Sequence, residues 1–220
     1  MSKKWLKVAL MVTAIATGTS IQVDAETVLY VPQDDRPVSL QYTVDTAKAA
    51  GMTVLTPPQN LISGKTYKGQ ADQIWNWVEQ NAGRADVMVL STDTLIYGGL
   101  VDSRKHNFPL STLENRLKRI EALKANHKNI RIYGFGTVMR SPRASGGGTE
   151  PSYYADYGPT IFQIAALQDK LDAGTLTQAE TQKLMSLQAS VPVEYLQDWF
   201  SRRQKNMQVN KALIDEARNG

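Results

Sequence analysis

The chain has 220 residues, no cysteine and a formal net charge of +4. The absence of cysteine excludes disulfides, thiol nucleophiles and cysteine metal ligands. Residues 1–25 contain three of the lysines and one aspartate, so the remainder has 22 basic and 20 acidic residues. This near balance predicts binding neither to nucleic acid nor to an anionic membrane.

The first 25 residues have the pattern of a cleavable secretory signal peptide. Three lysines within the first seven residues precede an uncharged segment, residues 8–22, whose apolar centre is too short to span a bilayer. Val23 and Ala25 place short residues where a signal peptidase reads them, so we expect cleavage after Ala25. A retained N-terminal anchor is the alternative. The pattern predicts a secreted or extracytoplasmic protein with no membrane contact after cleavage.

Four short apolar runs alternate with helical patterns. Their nearly continuous apolar character is typical of strands buried on both faces. The runs are Thr27–Val31, Met52–Thr56, Asp86–Ser91 and Ile130–Phe135. The clearest intervening helix begins at Ser111, which forms a capping-box pattern with Glu114. This order predicts an α/β fold with a parallel sheet built from βα repeats, either a partial barrel or a doubly wound sheet.

Three further helices are predicted after the fourth run. Thr177 and Glu180 predict a capping box for the second, and Pro192 opens the third. The third helix carries an apolar stripe in which Arg203 and Asn210 are the polar exceptions. The stripe consists of Leu196, Phe200, Arg203, Met207, Asn210, Ile214 and Ala217. Because buried polar groups need partners, Arg203 and Asn210 are predicted to contact the acidic strand-end loops; solvent at the edge of the stripe is the alternative.

The order of elements also bears on domain organisation. Residues 26–220 read as a single α/β domain followed by a helical segment. A further strand is expected after the last helix, where the sequence ends. We therefore interpret the domain as truncated at its C-terminal end, with a complete small doubly wound domain as the alternative.

The loop after the first run is a candidate site, because ligands bind at the carboxyl ends of strands in parallel α/β proteins. Asp34, Asp35 and Arg36 stand there between two prolines that restrict the backbone. Asp35 is predicted to be catalytic, and Asp34 and Arg36 to bind substrate. The alternative is that an aspartate caps the helix that follows.

The loop after the third run is the second candidate. Asp93, at the exit of the strand, is predicted to be catalytic. Tyr97 offers a stacking face and a hydroxyl, and Gly98 and Gly99 permit close approach of the backbone to a ligand. These three and Arg104 are predicted to bind substrate. An ordinary loop with an Asx-turn at Asp93 is the alternative.

The remaining polar residues limit the kinds of catalytic or metal site that the chain could form. Arg140, after the fourth run, is predicted to bind substrate through carboxylates or an anionic ligand, although simple solvation fits equally well. His106 and His127 are the only histidines, and both stand in polar sequence that predicts exposure. A zinc site or a Ser-His-Asp triad is therefore not expected. No metal ligand and no cofactor is assigned; carboxylate chemistry remains, with or without a hard cation.

Three segments resemble the bacterial family catalogued as domain of unknown function 4127 (DUF4127). They are Tyr30–Val38, Ser91–Arg104 and Arg202–Asn210, the last with a departure at Gln204-Lys205. The resemblance covers nearly all of the chain after the signal segment. It implies that these loops form a site and that members continue beyond the last helix into a further strand with its own acidic loop. It implies no particular reaction.

Two functions fit these features. The first is an exported hydrolase acting on a glycan, in which Asp35 and Asp93 serve as acid and as base or nucleophile, about 5–10 Å apart. Tyr97, Tyr153 and Tyr154 would stack on sugar rings. The second is a non-catalytic exported solute- or cell-wall-binding module, in which the aspartates are caps or acceptors. Metal-dependent phosphoester chemistry is a lesser alternative. The ligand is a small molecule or glycan in either main case, and the oligomeric state is left open.

Overall fold

The computed structural model describes residues 25–144 and 147–219, and it places four parallel strands in one sheet. The predicted signal peptide therefore lies almost entirely outside the described residues. The strands are β1 (Thr27–Val31), β2 (Thr53–Leu55), β3 (Val87–Ser91) and β4 (Arg131–Phe135), in the order β2-β1-β3-β4. The parallel α/β fold is confirmed, and the four strands form an open sheet.

Eight helices connect or follow these strands within the described residues. Between the strands lie α1 (Gln41–Ala49), α2 (Ala71–Asn81), α3 (Thr92–Tyr97), α4 (Leu100–Lys105) and α5 (Leu110–Asn126). After β4 come α6 (Tyr154–Asp172), α7 (Gln178–Ala189) and α8 (Val193–Asn219). Short 3₁₀ turns occur at Gln59–Leu61 and Ala82–Arg84. None of the helices in this part of the chain is both long enough and apolar enough to cross a membrane.

The two faces of the sheet are covered to different extents. Leu29 and Met88, neighbours in the parallel register, point into a core completed by Ile74, Trp75 and Val78 of α2. The opposite face is covered by α1, which has no buried residue, and a groove of about 300 Å³ lies along it. Burial on both faces is thus limited to the central strands β1 and β3.

The prediction for the start of α5 is wrong. The helix begins at Leu110 with Pro109 as its N-cap residue and no side-chain cap. Ser111 therefore lies inside the first turn, too late in the helix to cap it. The capping box of α7 is confirmed, because Thr177 Oγ1 accepts from Glu180 N at 3.2 Å and Glu180 Oε2 accepts from Thr177 N at 3.0 Å.

The buried face of α8 differs from the predicted stripe. Met207 and Ile214, both stripe members, are 49% and 54% exposed. The buried positions lie on a neighbouring face: Trp199, Arg202, Asn206 and Val209. The helix packs its N-terminal part against α6 and α7 and its C-terminal part against α5, so no single apolar stripe describes it.

Candidate functional site at the strand ends

The loops after β1 and β3 meet where the chain order of the sheet reverses. In open parallel sheets this switch point is where ligands bind. Thr94 Oγ1 donates to the carbonyl of Pro32 at 2.6 Å, and Gln33 Nε2 donates to Asp93 Oδ2 at 2.9 Å. The structure thus brings these two loops together at one end of the sheet, as predicted.

Asp93 is the buried centre of this end of the sheet. Its residue is only 3% exposed, and its Oδ2 accepts from Gln33 and also from Thr137 Oγ1, at 2.9 Å. Burial raises the pKa of the Asp93 carboxyl, and the hydrogen bonds from Gln33 and Thr137 oppose that rise. Ser91, not Asp93, caps α3 through its bond from Thr94 N. Asp93 is therefore a buried, hydrogen-bonded carboxyl whose pKa is shifted upward by burial.

The two aspartates after β1 have separate environments. Asp34 is buried and accepts from the backbone N and from Nε of Arg36, whose terminal nitrogen lies 2.7 Å from Asp34 Oδ2. Neither aspartate caps the helix that follows, because α1 begins at Gln41 with Leu40 as its N-cap residue and no side-chain cap, so the alternative expected for this loop is wrong. Asp35 is only partly buried, and its carboxylate accepts from the hydroxyl of Tyr67, a side chain 50% exposed. Asp35 is thus the more accessible of the two carboxylates.

Tyr97, Gly98 and Gly99 serve packing at this end of the sheet. Tyr97 is 5% exposed and its ring stacks on His106, so it offers no open face to a ligand. Gly98 has a φ of 107°, and a Cβ there would lie 2.9 Å from the Gly69 carbonyl oxygen. A Cβ on Gly99 would meet Ser63 Oγ at 1.8 Å. Because they lack side chains, Gly98 and Gly99 allow the segment that follows β2 to pack closely against them.

Arg104 and Arg140 share one carboxylate. Glu150 is 3% exposed and accepts from Arg140 at 2.8 Å, whereas Arg104 lies 3.8 Å from it. Within the described part of the chain, Arg104 donates no hydrogen bond. Its side chain is 17% exposed. Burial lowers the pKa of Arg104, and the charges of Arg140 and Arg36 lower it further. Three arginines therefore lie near one another at the strand ends.

Arg203 and Asn210 were predicted to contact the strand-end carboxylates, and this prediction is wrong: their partners are backbone carbonyls. Arg203 donates to the carbonyl of Arg140 at 2.5 Å, and its guanidinium lies 3.2 Å from the Trp199 ring centroid. Asn210 Nδ2 donates to the carbonyl of Thr137 at 3.4 Å. Both side chains reach the backbone after β4, because α8 runs alongside that loop. Asn210 is linked to Asp93 only indirectly, through Thr137.

His106 is buried, contrary to the exposure expected from its polar sequence. It is 7% exposed, lies between the rings of Tyr97 and Phe108, and its Nε2 is 2.8 Å from Asn206 Oδ1. Burial lowers its pKa to about 4. Arg202 Nε donates to the His106 carbonyl at 2.6 Å. The segment on α8 that resembles DUF4127 thus anchors the loop after β3.

Tyr153 and Tyr154, which were predicted to stack on sugar rings, stack instead on other aromatic side chains of the protein. Tyr154 is fully buried and stacks on Trp199, and Tyr153 stacks on Tyr195. The exposed aromatic side chain next to a candidate carboxylate is Tyr67.

Four site residues had not been singled out from the sequence. They are Gln33, Tyr67, Thr137 and Glu150. Gln33 and Thr137 stand in strand-end loops, so their position was a usable signal. Tyr67 and Glu150 lie far along the chain from the strand ends, and only the folded loops bring them there.

A groove of about 710 Å³ runs along β4 between α5 and α8 and includes Thr137 and Asn210. Neither this groove nor the one under α1 is lined by Asp35 or Asp93. The two carboxyls share one end of the sheet, but neither outlined groove contains them. In the described residues, no cluster of three or more histidine, cysteine, aspartate or glutamate side chains could hold a metal ion.

Comparison with known proteins identifies the family. A family model described as a protein of unknown function, DUF4127, matches residues 28–220. The chain belongs to the DUF4127 family. The match includes both strand-end loops and the Arg202–Asn210 segment of α8. No curated protein and no solved structure gives a significant match to this DUF4127 chain.

Proposed function

We propose that this DUF4127 protein is an exported hydrolase that acts on a glycan through carboxyl groups at the strand ends. The observation that carries the proposal is the buried Asp93 at the switch point of the sheet. Its raised pKa suits a group that must hold a proton until it donates it to a leaving oxygen. Glycosidases use a carboxylic acid of this kind with a second carboxylate.

Asp35 is the second carboxylate in this proposal. It belongs to the loop bonded to Asp93 through Gln33, and it is less buried than Asp34. Tyr67 donates its hydroxyl to Asp35 and keeps half of its side chain exposed. An exposed aromatic ring beside a carboxylate suits the apolar face of a sugar ring.

The test is a panel of glycans, with release of reducing ends as the readout. Wild-type protein, Asp35→Asn and Asp93→Asn are compared, with Asp45→Asn as the matched control because Asp45 is exposed on α1 and bonds only Gln41 among described residues. We expect both site variants to lose about 100-fold or more in rate and the control to retain it. Equal rates for Asp93→Asn and wild type would remove the catalytic assignment.

A non-catalytic binding module is the second candidate, and the engagement of Asp34 favours it. Asp34 is committed to the backbone and guanidinium of Arg36, as expected for a structural carboxylate. In this case a glycan or small solute would bind with no turnover. If a glycan of the panel binds at equilibrium but is never cleaved, the protein is a binding module.

Export follows from the segment before Glu26 and is part of the same proposal. Cleavage after Ala25 would leave Glu26 as the first residue, one position before β1 begins. N-terminal sequencing of the exported protein should read Glu26 first; an intact Met1 in the exported fraction would contradict it.

A further inference from the structure

We propose that the ligand of the strand-end site carries an oxyanion group and that Arg104 is the side chain that binds it. The inference deepens the proposed hydrolase, since it rests on a ligand entering that same site and assigns it to the acidic glycans. The group is a carboxylate, sulfate or phosphate, which share the oxygen geometry that a guanidinium recognises.

Arg104 is incompletely paired. Its side chain is largely buried at 17% exposure, yet it donates no hydrogen bond within residues 25–144 and 147–219. Its nearest carboxylate oxygen, on Glu150, is 3.8 Å away, beyond hydrogen-bond distance. A buried cation is costly unless it is paired and hydrogen-bonded. Arg104 therefore has donors to spare for a ligand.

The carboxylates near Arg104 are already engaged by other side chains. Glu150 Oε1 accepts from Nε and a terminal nitrogen of Arg140, at 3.2 and 2.8 Å, and its Oε2 accepts from Thr149 at 2.6 Å. Asp34 is bound by Arg36. Of Arg36, Arg104 and Arg140, Arg104 is thus the one that donates no hydrogen bond to the described residues around it.

Further cationic side chains form a rim around Arg104. The side chains of Arg36 and Arg140 are 51% and 49% exposed, so each keeps a charged surface toward solvent beside Arg104. Lys105, the next residue of α4, donates to the carbonyl of Gly148 at 3.0 Å and adds a further cation at the rim. Such a rim attracts an anion toward the buried guanidinium.

The experiment measures binding of four probes by calorimetry: sulfate, inorganic phosphate, glucuronate and glucose. Wild type, Arg104→Gln and Arg104→Lys are compared with Arg131→Gln, the control. Arg131 is also an arginine paired with a carboxylate, Glu26, but it lies at the other end of the sheet. At least one anion should bind wild type more tightly than glucose does. Arg104→Gln should lose tenfold or more in affinity, Arg104→Lys less, and Arg131→Gln nothing.

The outcomes separate the sources of the anion and the two proposals. Binding of glucuronate would identify the ligand as a carboxylated sugar. Binding of sulfate or phosphate alone would identify it as a sulfate or phosphate ester. Anion binding that depends on Arg104, with no cleavage of any glycan, supports this inference and removes the hydrolase. Cleavage of neutral glycans with no anion binding removes this inference and leaves the hydrolase.

Two further results would overturn the role of Arg104. One is unchanged anion affinity in Arg104→Gln, and the other is an equal loss in Arg131→Gln, which would indicate general charge attraction. If Arg104→Gln does not fold, Arg104→Lys decides alone. It retains the charge but not the planar fork, and wild-type affinity in that variant would exclude recognition through the guanidinium.

Discussion

Replacing Arg116 with methionine should destabilise the protein by about 3 kcal/mol, because Arg116 caps the helix that carries Asp93. Its terminal nitrogen donates to the buried carbonyl of Ile96 at 2.7 Å, near the C-terminal end of α3. That carbonyl has no partner from the helix itself. Methionine keeps most of the apolar stem but leaves the carbonyl unsatisfied.

The magnitude follows from the three contacts of Arg116. The bond to the Ile96 carbonyl is charge-assisted and buried, worth about 1.5–3 kcal/mol. The pair with Asp72 is bidentate, but the Asp72 side chain is 68% exposed, so its share is about 0–1 kcal/mol. The guanidinium also lies 4.7 Å from the Phe108 ring centroid, which contributes about 0.5–1 kcal/mol.

The assay is equilibrium unfolding in urea, with Arg119→Met as the matched control. Arg119 lies on the same helix and pairs with Glu79 at 2.9 Å, but its side chain is 27% exposed against 10% for Arg116, and its hydrogen bonds go to side chains rather than to a buried carbonyl. We expect the control to lose no more than about 1 kcal/mol. Equal losses in the two variants, or a loss below about 1 kcal/mol for Arg116→Met, would refute the capping argument.

Three other perturbations test the support around the site. Trp75→Phe removes the 2.8 Å bond from Nε1 to the buried Leu95 carbonyl and should cost about 1–3 kcal/mol in urea unfolding; an unchanged midpoint would contradict it. Gly98→Ala, at a φ of 107°, should lower the free energy of unfolding by at least about 1–2 kcal/mol, whereas Gly83→Ala, with open space around it, should change it little. Equal effects in the two variants would contradict the role of the positive φ. His106 has a pKa lowered by burial to about 4 from 6.5, so the unfolded chain binds its proton first and stability should fall as pH drops from 6.5 toward 4. An NMR titration of His106 near 6.5 would show that reasoning to be wrong.

The sequence predicted the fold well because its strands are local apolar runs. All four predicted runs contain the observed strands, and the position of Asp93 at a strand exit followed from the same runs. The capping box at Thr177 was also readable, since capping depends on residues three positions apart.

The contacts of the site could not be read in the same way, because they join distant parts of the chain. Tyr67 reaches Asp35, and Asn206 of α8 reaches His106, across long stretches of sequence, so these contacts leave no local pattern. The partners of Arg203 were missed for a related reason. A single stripe assumes one partner along a helix, and α8 has different neighbours along its length.

The most direct test of the central claim is a comparison of wild type with Asp93→Asn in both glycan cleavage and urea unfolding. Gln33 and Thr137 both donate to the single oxygen Oδ2 of Asp93, so the amide oxygen of asparagine can accept both bonds. Burial raises the Asp93 pKa above its ordinary 3.8, so its contribution to stability is full below 3.8 and is lost as pH rises through the folded pKa. The asparagine variant should lack this pH dependence, be no less stable at pH 7 and lose about 100-fold or more in cleavage. Cleavage at the wild-type rate by a folded Asp93→Asn protein would contradict the account.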